Sequence, residues 1–178
     1  MLIACDGSSF RNGDPETPIG WAWAREDGAW MSNGMIGGSN NRAELHGIIS
    51  VLLMNPHDEL TVLMDSQYAL NTVDKWIYGW ARNNWIKKDN KPVQNVDLVK
   101  VIHRLRLRRE APVTFQWVKA HRKNSHELNV RADELAGAAM RRVKNGELEA
   151  TGMAYLDSKG RTHQDGEFKV FTKLYSTE

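Results

Sequence analysis

Apolar and polar residues alternate over the first third of the chain in a pattern that predicts β-strands. Leu2–Asp6 is a short apolar run that ends in an acid, and residues 20–25 and 29–36 form two further strand-like segments. A turn at 26–28 joins the second segment to the third, and a loop rich in turn-forming residues covers 7–20. These three strands predict an antiparallel meander.

The period of the pattern then changes to that of a helix. Asn41 is predicted to cap this helix, which ends near Pro56. The apolar positions that recur on one face are Leu45, Ile48, Ile49, Leu52 and Leu53. Leu60–Asp65 follows as a second apolar strand ending in an acid. A strand, a helix and a strand at this spacing predict a parallel pair with a right-handed crossover.

The remaining pattern predicts helices over about 66–78, from Asn95 to about 108, and over 127–144, with a strand over 113–118. The expected class is α/β, with a mixed five-stranded sheet flanked by helices. We expect one domain over 1–145. Residues 146–178 are compositionally different and form an expected extension, either a hairpin with strands near 153–157 and 168–175 or a flexible tail.

Composition narrows the classes of protein that fit. The chain has 178 residues, of which 41% are hydrophobic and 26% charged, as in an ordinary globular protein. A single cysteine, Cys5, excludes a disulfide framework and a cysteine zinc cluster. No apolar run approaches the ~20 residues of a membrane span, and the apolar start is too short for a signal peptide. We therefore expect a cytosolic protein without a membrane partner.

Charge is unevenly placed along the chain. The formal net charge is +2, but residues 75–109 contain ten Lys or Arg and two acids, so this segment is +8 and the remainder −6. Aromatic residues, among them Trp76, Trp80 and Trp85, lie between these cations. Cations that neutralise phosphates and flat rings that stack on bases suit nucleic acid, although a solvated helix face with core aromatics is an equal alternative.

Two acids, Asp6 and Asp65, stand at the ends of predicted strands that could be parallel neighbours. Ligands gather at the carboxyl ends of strands in such sheets, and paired carboxylates select hard cations such as Mg²⁺ or Mn²⁺. Turn capping is the alternative for each. Glu44 also fits a capping box with Asn41, and Asp133 fits an exposed helical acid.

The motifs in order resemble type 1 ribonuclease H over roughly residues 1–144. The resemblance rests on matching stretches at 6–8, 40–45, 65–68, 91–98, 117–121 and 132–136, of which Asn-Asn-Arg-x-Glu-Leu and Asp-Ser-Gln-Tyr are the most specific. The segment over 75–98 resembles the basic handle of bacterial members. The resemblance implies endonucleolytic hydrolysis of the RNA strand of RNA–DNA hybrids, giving 5′-phosphate and 3′-hydroxyl ends.

The same resemblance implies the site. Two Mg²⁺ ions, with Mn²⁺ as the alternative metal, would bind with substrate to four catalytic carboxylates, Asp6, Glu44, Asp65 and Asp133. His121 matches a loop histidine thought to assist proton transfer or product release; by itself it could be a plain surface residue. The implied substrate contacts are Asn12, Asn40, Asn41, Gln67, Trp76, Arg82, Trp85, Lys87 and Lys88.

Departures from the family pattern lie in the handle and in the histidine loop. Ala81 replaces a common handle lysine, Ala120 replaces a glycine, and the loop after His121 is longer by about two residues. Asn129 matches a family position near the site.

Two other functions fit the same fold, a non-catalytic duplex-binding module and a nuclease for DNA junctions. We expect a monomer acting on a hybrid duplex.

Overall fold

A mixed β-sheet lies at the centre of the computed structural model, which describes residues 1–120 and 125–147 and the backbone of 155–157 and 162–163. Its strands are β1 (Leu2–Ser9), β2 (Pro18–Arg25), β3 (Trp30–Ile36), β4 (Leu60–Met64), β5 (Val113–Trp117), β6 (Tyr155–Asp157) and β7 (Thr162–His163). The strand order is β5-β4-β1-β2-β3-β6-β7. Strands β1, β2 and β3 are antiparallel neighbours, whereas β1–β4 and β4–β5 are parallel. The predicted α/β core of five mixed strands is confirmed.

Two short strands extend the sheet beyond β3. Strand β6 pairs with β3 through Met31 opposite Asp157, and β7 pairs with β6, both antiparallel. The second strand that we expected near 168–175 lies outside the described residues. The boundary at 145 and the nature of the extension therefore stay predictions.

Helices cover both faces of the sheet. They are α1 (Asn40–Met54), α2 (Gln67–Asn71), α3 (Ile77–Arg82), α4 (Val96–Arg108) and α5 (Glu127–Lys144), with a π-helical turn at Thr72–Trp76 between α2 and α3. Alternate residues of β1 point to opposite faces. Ile3 and Cys5 pack with α1 and α4, while Ala4 packs with Leu63 and with Ala132 of α5. No helix in the described ranges is long and apolar enough to cross a membrane.

Two helix starts differ from the predictions. The N-cap of α1 is Ser39, whose Oγ accepts a hydrogen bond from the Arg42 backbone N–H at 3.3 Å, so Asn41 lies inside the first turn. Asn95 precedes α4 but makes no side-chain cap. Its φ of 52° is left-handed and its side chain bonds elsewhere. The predicted cap at Asn41 was wrong because the Ser39 hydroxyl accepts from the Arg42 amide, whereas Asn95 does stand at the N-cap position of α4, with its side chain bonded to Arg42 and Tyr68 instead of to the helix.

Glycines allow both helical layers to approach the sheet closely. A Cβ built on Gly20 of β2 would overlap the backbone of Ala136 and Met140 in α5. A Cβ on Gly7 of β1 would likewise overlap the backbone of Ala43 and Glu44 in α1. These two contacts set where α1 and α5 lie over β1 and β2.

Replacing Gly20 by Ala should therefore destabilise the fold, because the methyl group collides with helix backbone that cannot yield. We expect a loss of at least about 2 kcal/mol in the free energy of unfolding, measured by urea titration. Gly79→Ala is the matched control. That glycine lies in α3 with open space around it, and the change should be neutral or stabilise by up to about 1 kcal/mol. Equal effects of the two substitutions would contradict the close approach.

Candidate active site

Three carboxylates meet where β4 ends beside β1. Strands β1 and β4 are in parallel register with Ala4 opposite Leu63, so Asp6 and Asp65 each lie two residues further along. Glu44 reaches the same point from α1. One carboxylate oxygen from each of these three acids lies within 4.8 Å of the others. The topology thus brings together acids separated by up to 59 positions in the chain.

Glu44 reaches this cluster because α1 approaches β1 at Gly7. The Glu44 side chain is buried, with 8% of the residue exposed, and it hydrogen-bonds the Asp6 side chain. Because Ser39 caps α1, Glu44 is not the second member of a capping box. The structure favours the metal-site interpretation of Glu44 over the capping interpretation.

The site holds its carboxylates against their mutual repulsion. Burial, followed by the charges of Asp65 and Asp133, raises the pKa of Asp6 from 3.8 to about 8. Burial and the charges of Asp6 and Asp65 also raise the pKa of Glu44 well above its usual value. These groups give up a proton reluctantly in the absence of a cation, which is the behaviour of a site shaped for positive charge.

Asp133 joins the cluster from the opposite face of the sheet. It lies in α5, is half-buried, and makes a side-chain hydrogen bond with Asp6. Helix α5 carries it there because Gly20 lets the helix lie close to the sheet. The structure therefore brings together all four acids named from the sequence.

Two further residues orient Asp65. Asn129 is buried, and its Nδ2 donates to the Asp65 Oδ2 at 3.0 Å. Trp117 ends β5 opposite Met64, and its Nε1 donates to the Asp65 carbonyl oxygen at 3.1 Å. From the sequence, Asn129 was only a family match and no contact of Trp117 with Asp65 was expected. Asn129 could have been found from its position one helical turn before Asp133 in α5. Trp117 could have been found only from the register of β5 against β4.

The donor set suits a hard divalent cation. Among the described residues it consists of carboxylate oxygens, with no thiolate or imidazole, and such sets favour Mg²⁺ or Mn²⁺ over softer metals. The raised pKa values of Asp6 and Glu44 add an electrostatic reason, because a bound cation would offset the repulsion. The residues present therefore fit the metal that the sequence led us to expect.

The amide side chains expected to contact substrate lie in the loop after β1, in the first turn of α1 and at the start of α2. Asn40 Oδ1 accepts from the Ser9 hydroxyl at 2.7 Å, and the Asn40 backbone N–H donates to Asn12 Oδ1 at 3.2 Å. Asn41 follows in the first turn of α1. Gln67 is exposed and begins α2 directly after Asp65 and Ser66. Asn12 and Asn40 are thus in direct contact, Asn41 lies in the same helical turn as Asn40, and Gln67 lies two residues after Asp65.

The basic handle, residues 75–98, forms one wall of a groove of about 590 Å³. The residues lining this groove are Tyr68, Trp76, Trp80, Lys87, Lys88 and Gln94. Trp85 instead packs edge-on against His103 at 5.4 Å, with Lys100 above its ring, and Arg82 is exposed at the end of α3. Lys87, Lys88 and two of the handle's tryptophans therefore face one groove, while Trp85 packs against α4.

His121 belongs to the residues that the structure does not describe. Residues 121–124 separate β5 from the approach to α5, so the polar loop after Trp117 is described only as far as Ala120. The role expected for His121 remains a prediction.

Comparison with known proteins agrees with this geometry. A family model described as RNase H matches residues 1–141. The chain belongs to the ribonuclease H family. Ribonuclease H of Tropheryma whipplei (strain Twist) is 37% identical over 141 residues, which cover 78% of this chain and 83% of the relative. Members of this family are nucleases and hydrolases, and the predicted family is confirmed.

Solved structures share the fold. LC9-RNase H1, a type 1 RNase H with the type 2 active-site motif, superposes with a TM-score of 0.66 at 22% identity, covering 99% of this chain and 85% of that one. The foamy viral protease-reverse transcriptase in complex with an RNA/DNA hybrid gives a TM-score of 0.64 at 16% identity, covering 78% of this chain and 20% of that one. At these identities the likeness concerns the fold alone.

The electrostatics predict that Asp6→Asn stabilises the cation-free protein. The raised pKa of Asp6 means that stability from its protonated form is complete below pH ~4 and lost as pH rises through about 8. In EDTA at pH 8 the Asn variant should therefore melt at least about 3 °C higher than wild type, measured by calorimetry.

Addition of Mg²⁺ should reverse this order, raising the Tm of wild type more than that of Asp6→Asn. Glu134→Gln is the control, since it removes one exposed charge from the residue next to Asp133. If the Tm of wild type changed with neither pH nor Mg²⁺, the prediction of mutually repelling carboxylates in this cluster would be contradicted.

Proposed function

We propose that this protein is a divalent-cation-dependent endonuclease that hydrolyses the RNA strand of RNA–DNA hybrids and leaves 5′-phosphate and 3′-hydroxyl ends. The observation that carries the proposal is the convergence of Asp6, Glu44 and Asp65, whose oxygens lie within 4.8 Å of one another. Membership of the ribonuclease H family supports the reaction. The hybrid held by the structurally similar foamy viral protein supports the substrate.

The carboxylate cluster argues against a purely binding protein. A surface that only bound a polyanion would gain nothing from buried acids facing phosphate, and their burial costs free energy. Raised pKa values at Asp6 and Glu44 show that this cost is present in the fold. A protein that retains this free-energy cost is expected to use the acids in catalysis.

In this proposal Asp6, Glu44, Asp65 and Asp133 hold two Mg²⁺ ions when the hybrid is bound, and Mn²⁺ could use the same oxygens. Such ions supply activation of the attacking water and stabilisation of the leaving 3′ oxygen. Asn129 and Trp117 keep Asp65 in position through its carboxylate and its carbonyl. His121 would assist proton transfer or product release from the loop after β5.

Selection of RNA would depend on the amide side chains expected to contact substrate. Asn12, Asn40, Asn41 and Gln67 carry both donors and acceptors, as contact with a 2′-hydroxyl requires. The minor groove of an A-like duplex displays that hydroxyl, which DNA lacks. The hydrogen bond between Asn12 and Asn40 fixes these two residues relative to each other.

The handle would bind the duplex away from the reacting phosphate. Lys87 and Lys88 line the groove with Trp76, which is 41% exposed, and Arg82 lies exposed beyond them. Trp85 would act through packing against α4. A cytosolic setting and a monomeric state complete the proposal, and the buried, free Cys5 is compatible with a reducing compartment.

Hydrolysis is tested with end-labelled duplexes and Mg²⁺. We expect the RNA strand of an RNA–DNA hybrid to be cut to products with 5′-phosphate ends, and duplex DNA and DNA junctions to stay intact. Asp6→Asn should lower kcat by at least about 1,000-fold, because it removes a ligand of the reacting centre. No cleavage by wild type, or undiminished cleavage by Asp6→Asn, would refute the proposal.

The handle's role is tested through salt dependence. Replacing both Lys87 and Lys88 by Ala removes two phosphate contacts, so the slope of log affinity against log salt should flatten by about 1.8. Hybrid affinity of Asp6→Asn, which cannot cleave, is measured with and without the two changes. Arg108→Ala is the control, since Arg108 is exposed at the other end of α4, about 18 Å along the helix. Equal slopes in all variants would exclude phosphate binding by these lysines.

A further inference from the structure

A polar network joins α1 to the point where the handle returns to the domain. The Arg42 guanidinium donates to both carboxylate oxygens of Asp97, from Nη1 to Oδ1 at 3.0 Å and from Nη2 to Oδ2 at 2.7 Å. Arg42 Nη1 also donates to Asn95 Oδ1 at 3.3 Å, and Asn95 Nδ2 donates to the Tyr68 hydroxyl at 3.1 Å. The first turns of α1 and α4 are thereby connected, with α2 joined to them through Tyr68.

Asn95 shows that this connection fixes the chain's path out of the handle. Its φ of 52° is left-handed, a conformation that side chains other than glycine, asparagine and aspartate rarely adopt. Both ends of its amide are used, one toward Arg42 and the other toward Tyr68. The backbone therefore turns into α4 at a residue held from two directions.

The handle itself is attached to α4. Tyr78 and Trp85 of the handle lie edge-on to His103 at centroid distances of 6.0 and 5.4 Å, and Lys100 lies over the Trp85 ring at 5.9 Å. These contacts make the handle and α4 one unit. Whatever fixes α4 relative to the carboxylate cluster also fixes the handle.

Arg42 supplies that link on the side of the cluster. It lies two residues before Glu44 in the first turns of α1, so its contact with Asp97 joins the helix that carries a cluster acid to the helix that carries the handle. Desolvation works to raise the pKa of Asp97, but the hydrogen bonds and charge of Arg42 outweigh it and hold this pKa below its usual value. Asp97 therefore stays ionised and paired with Arg42 at neutral pH.

We propose that Arg42 and Asp97 are positioning residues that set the placement of the basic handle relative to the carboxylate cluster, so that a duplex bound by the handle presents its RNA strand at the reacting centre. This inference rests on the proposed function. It assigns neither residue a contact with the reacting atoms. Their ion pair acts through the relative position of α1 and α4.

The chain offers a matched control pair. Arg25 donates from Nε and Nη2 to the two carboxylate oxygens of Asp27 at 2.9 and 2.7 Å. The side chains of Arg25 and Asp27 are 21% and 43% exposed, against 28% and 53% for Arg42 and Asp97. Arg25 ends β2 and Asp27 lies in the turn to β3, apart from the handle. Exposed pairs of this kind contribute little to stability, so neither Asp→Asn change should unfold the protein.

The test compares steady-state cleavage of a long hybrid by Asp97→Asn, Asp97→Glu and Asp27→Asn. We expect Asp97→Asn to raise KM at least about threefold with kcat within about twofold of wild type. Asp97→Glu, which can keep the ion pair, should restore most of the affinity, and Asp27→Asn should match wild type. An unchanged KM in Asp97→Asn would overturn the inference.

Hybrids shortened from either end separate positioning from a local effect on Glu44. The handle groove runs from Tyr68 to Lys87 and Lys88, so removing the duplex arm on the handle side removes the contacts that the handle would make. With the arm removed on the handle side, Asp97→Asn and wild type should have equal KM values. If the KM of Asp97→Asn stays above that of wild type whichever end of the hybrid is shortened, the inference is wrong. Absence of cleavage by wild type would instead refute the proposed function, so the two failures are distinguishable.

Discussion

The repulsion among buried carboxylates is the constraint on which the rest of this structure depends. Asp6, Glu44 and Asp65 come from a strand, a helix and the end of a second strand, and burial makes the charged forms of Asp6 and Glu44 unfavourable. The surrounding fold must supply enough stability to keep them together without a cation. The buried core of α1, α4 and the sheet does so from one face, and α5 does so from the other.

Close backbone approach is the means by which the fold imposes this arrangement. Gly7 lets α1 lie against β1, which delivers Glu44 to Asp6, and Gly20 lets α5 lie against β2, which delivers Asp133. Asp65 is held differently, by hydrogen bonds from Asn129 and from Trp117 to its side chain and its carbonyl. Each acid thus has its own structural support, because a repelling group would otherwise swing toward solvent.

Much of this could be predicted from the sequence, because apolar runs and their periods report strands and helices directly. The Asp6 and Asp65 positions followed from the parallel pairing of β1 and β4, whereas Glu44 and Asp133 depended on resemblance to a family, since spacing alone does not distinguish them from other acids. The N-cap at Ser39 and the left-handed Asn95 were missed. Ser39 accepts a hydrogen bond from the Arg42 backbone and Asn95 accepts one from the Arg42 guanidinium, and the sequence does not show which of several nearby polar groups makes such a bond. Trp117 was missed because its partner is the Asp65 backbone carbonyl, and only the register of β5 against β4 places the two together.

Because the basic handle and the acidic cluster are separate, the position of the handle decides where a bound duplex lies relative to the cluster. The handle, residues 75–98, holds five Lys or Arg against two acids, whereas the cluster consists of acids, so the surface that attracts a polyanion and the cluster that repels it are separate. Attraction at the handle lowers the free energy of the complex wherever the duplex lies along it, because phosphate contacts carry little positional information. Productive binding then requires that the handle be held at a fixed position relative to Glu44 and Asp6. The Arg42–Asp97 pair adds to the buried packing of α1 against α4 a directional contact of two parallel hydrogen bonds, although an exposed pair contributes little free energy.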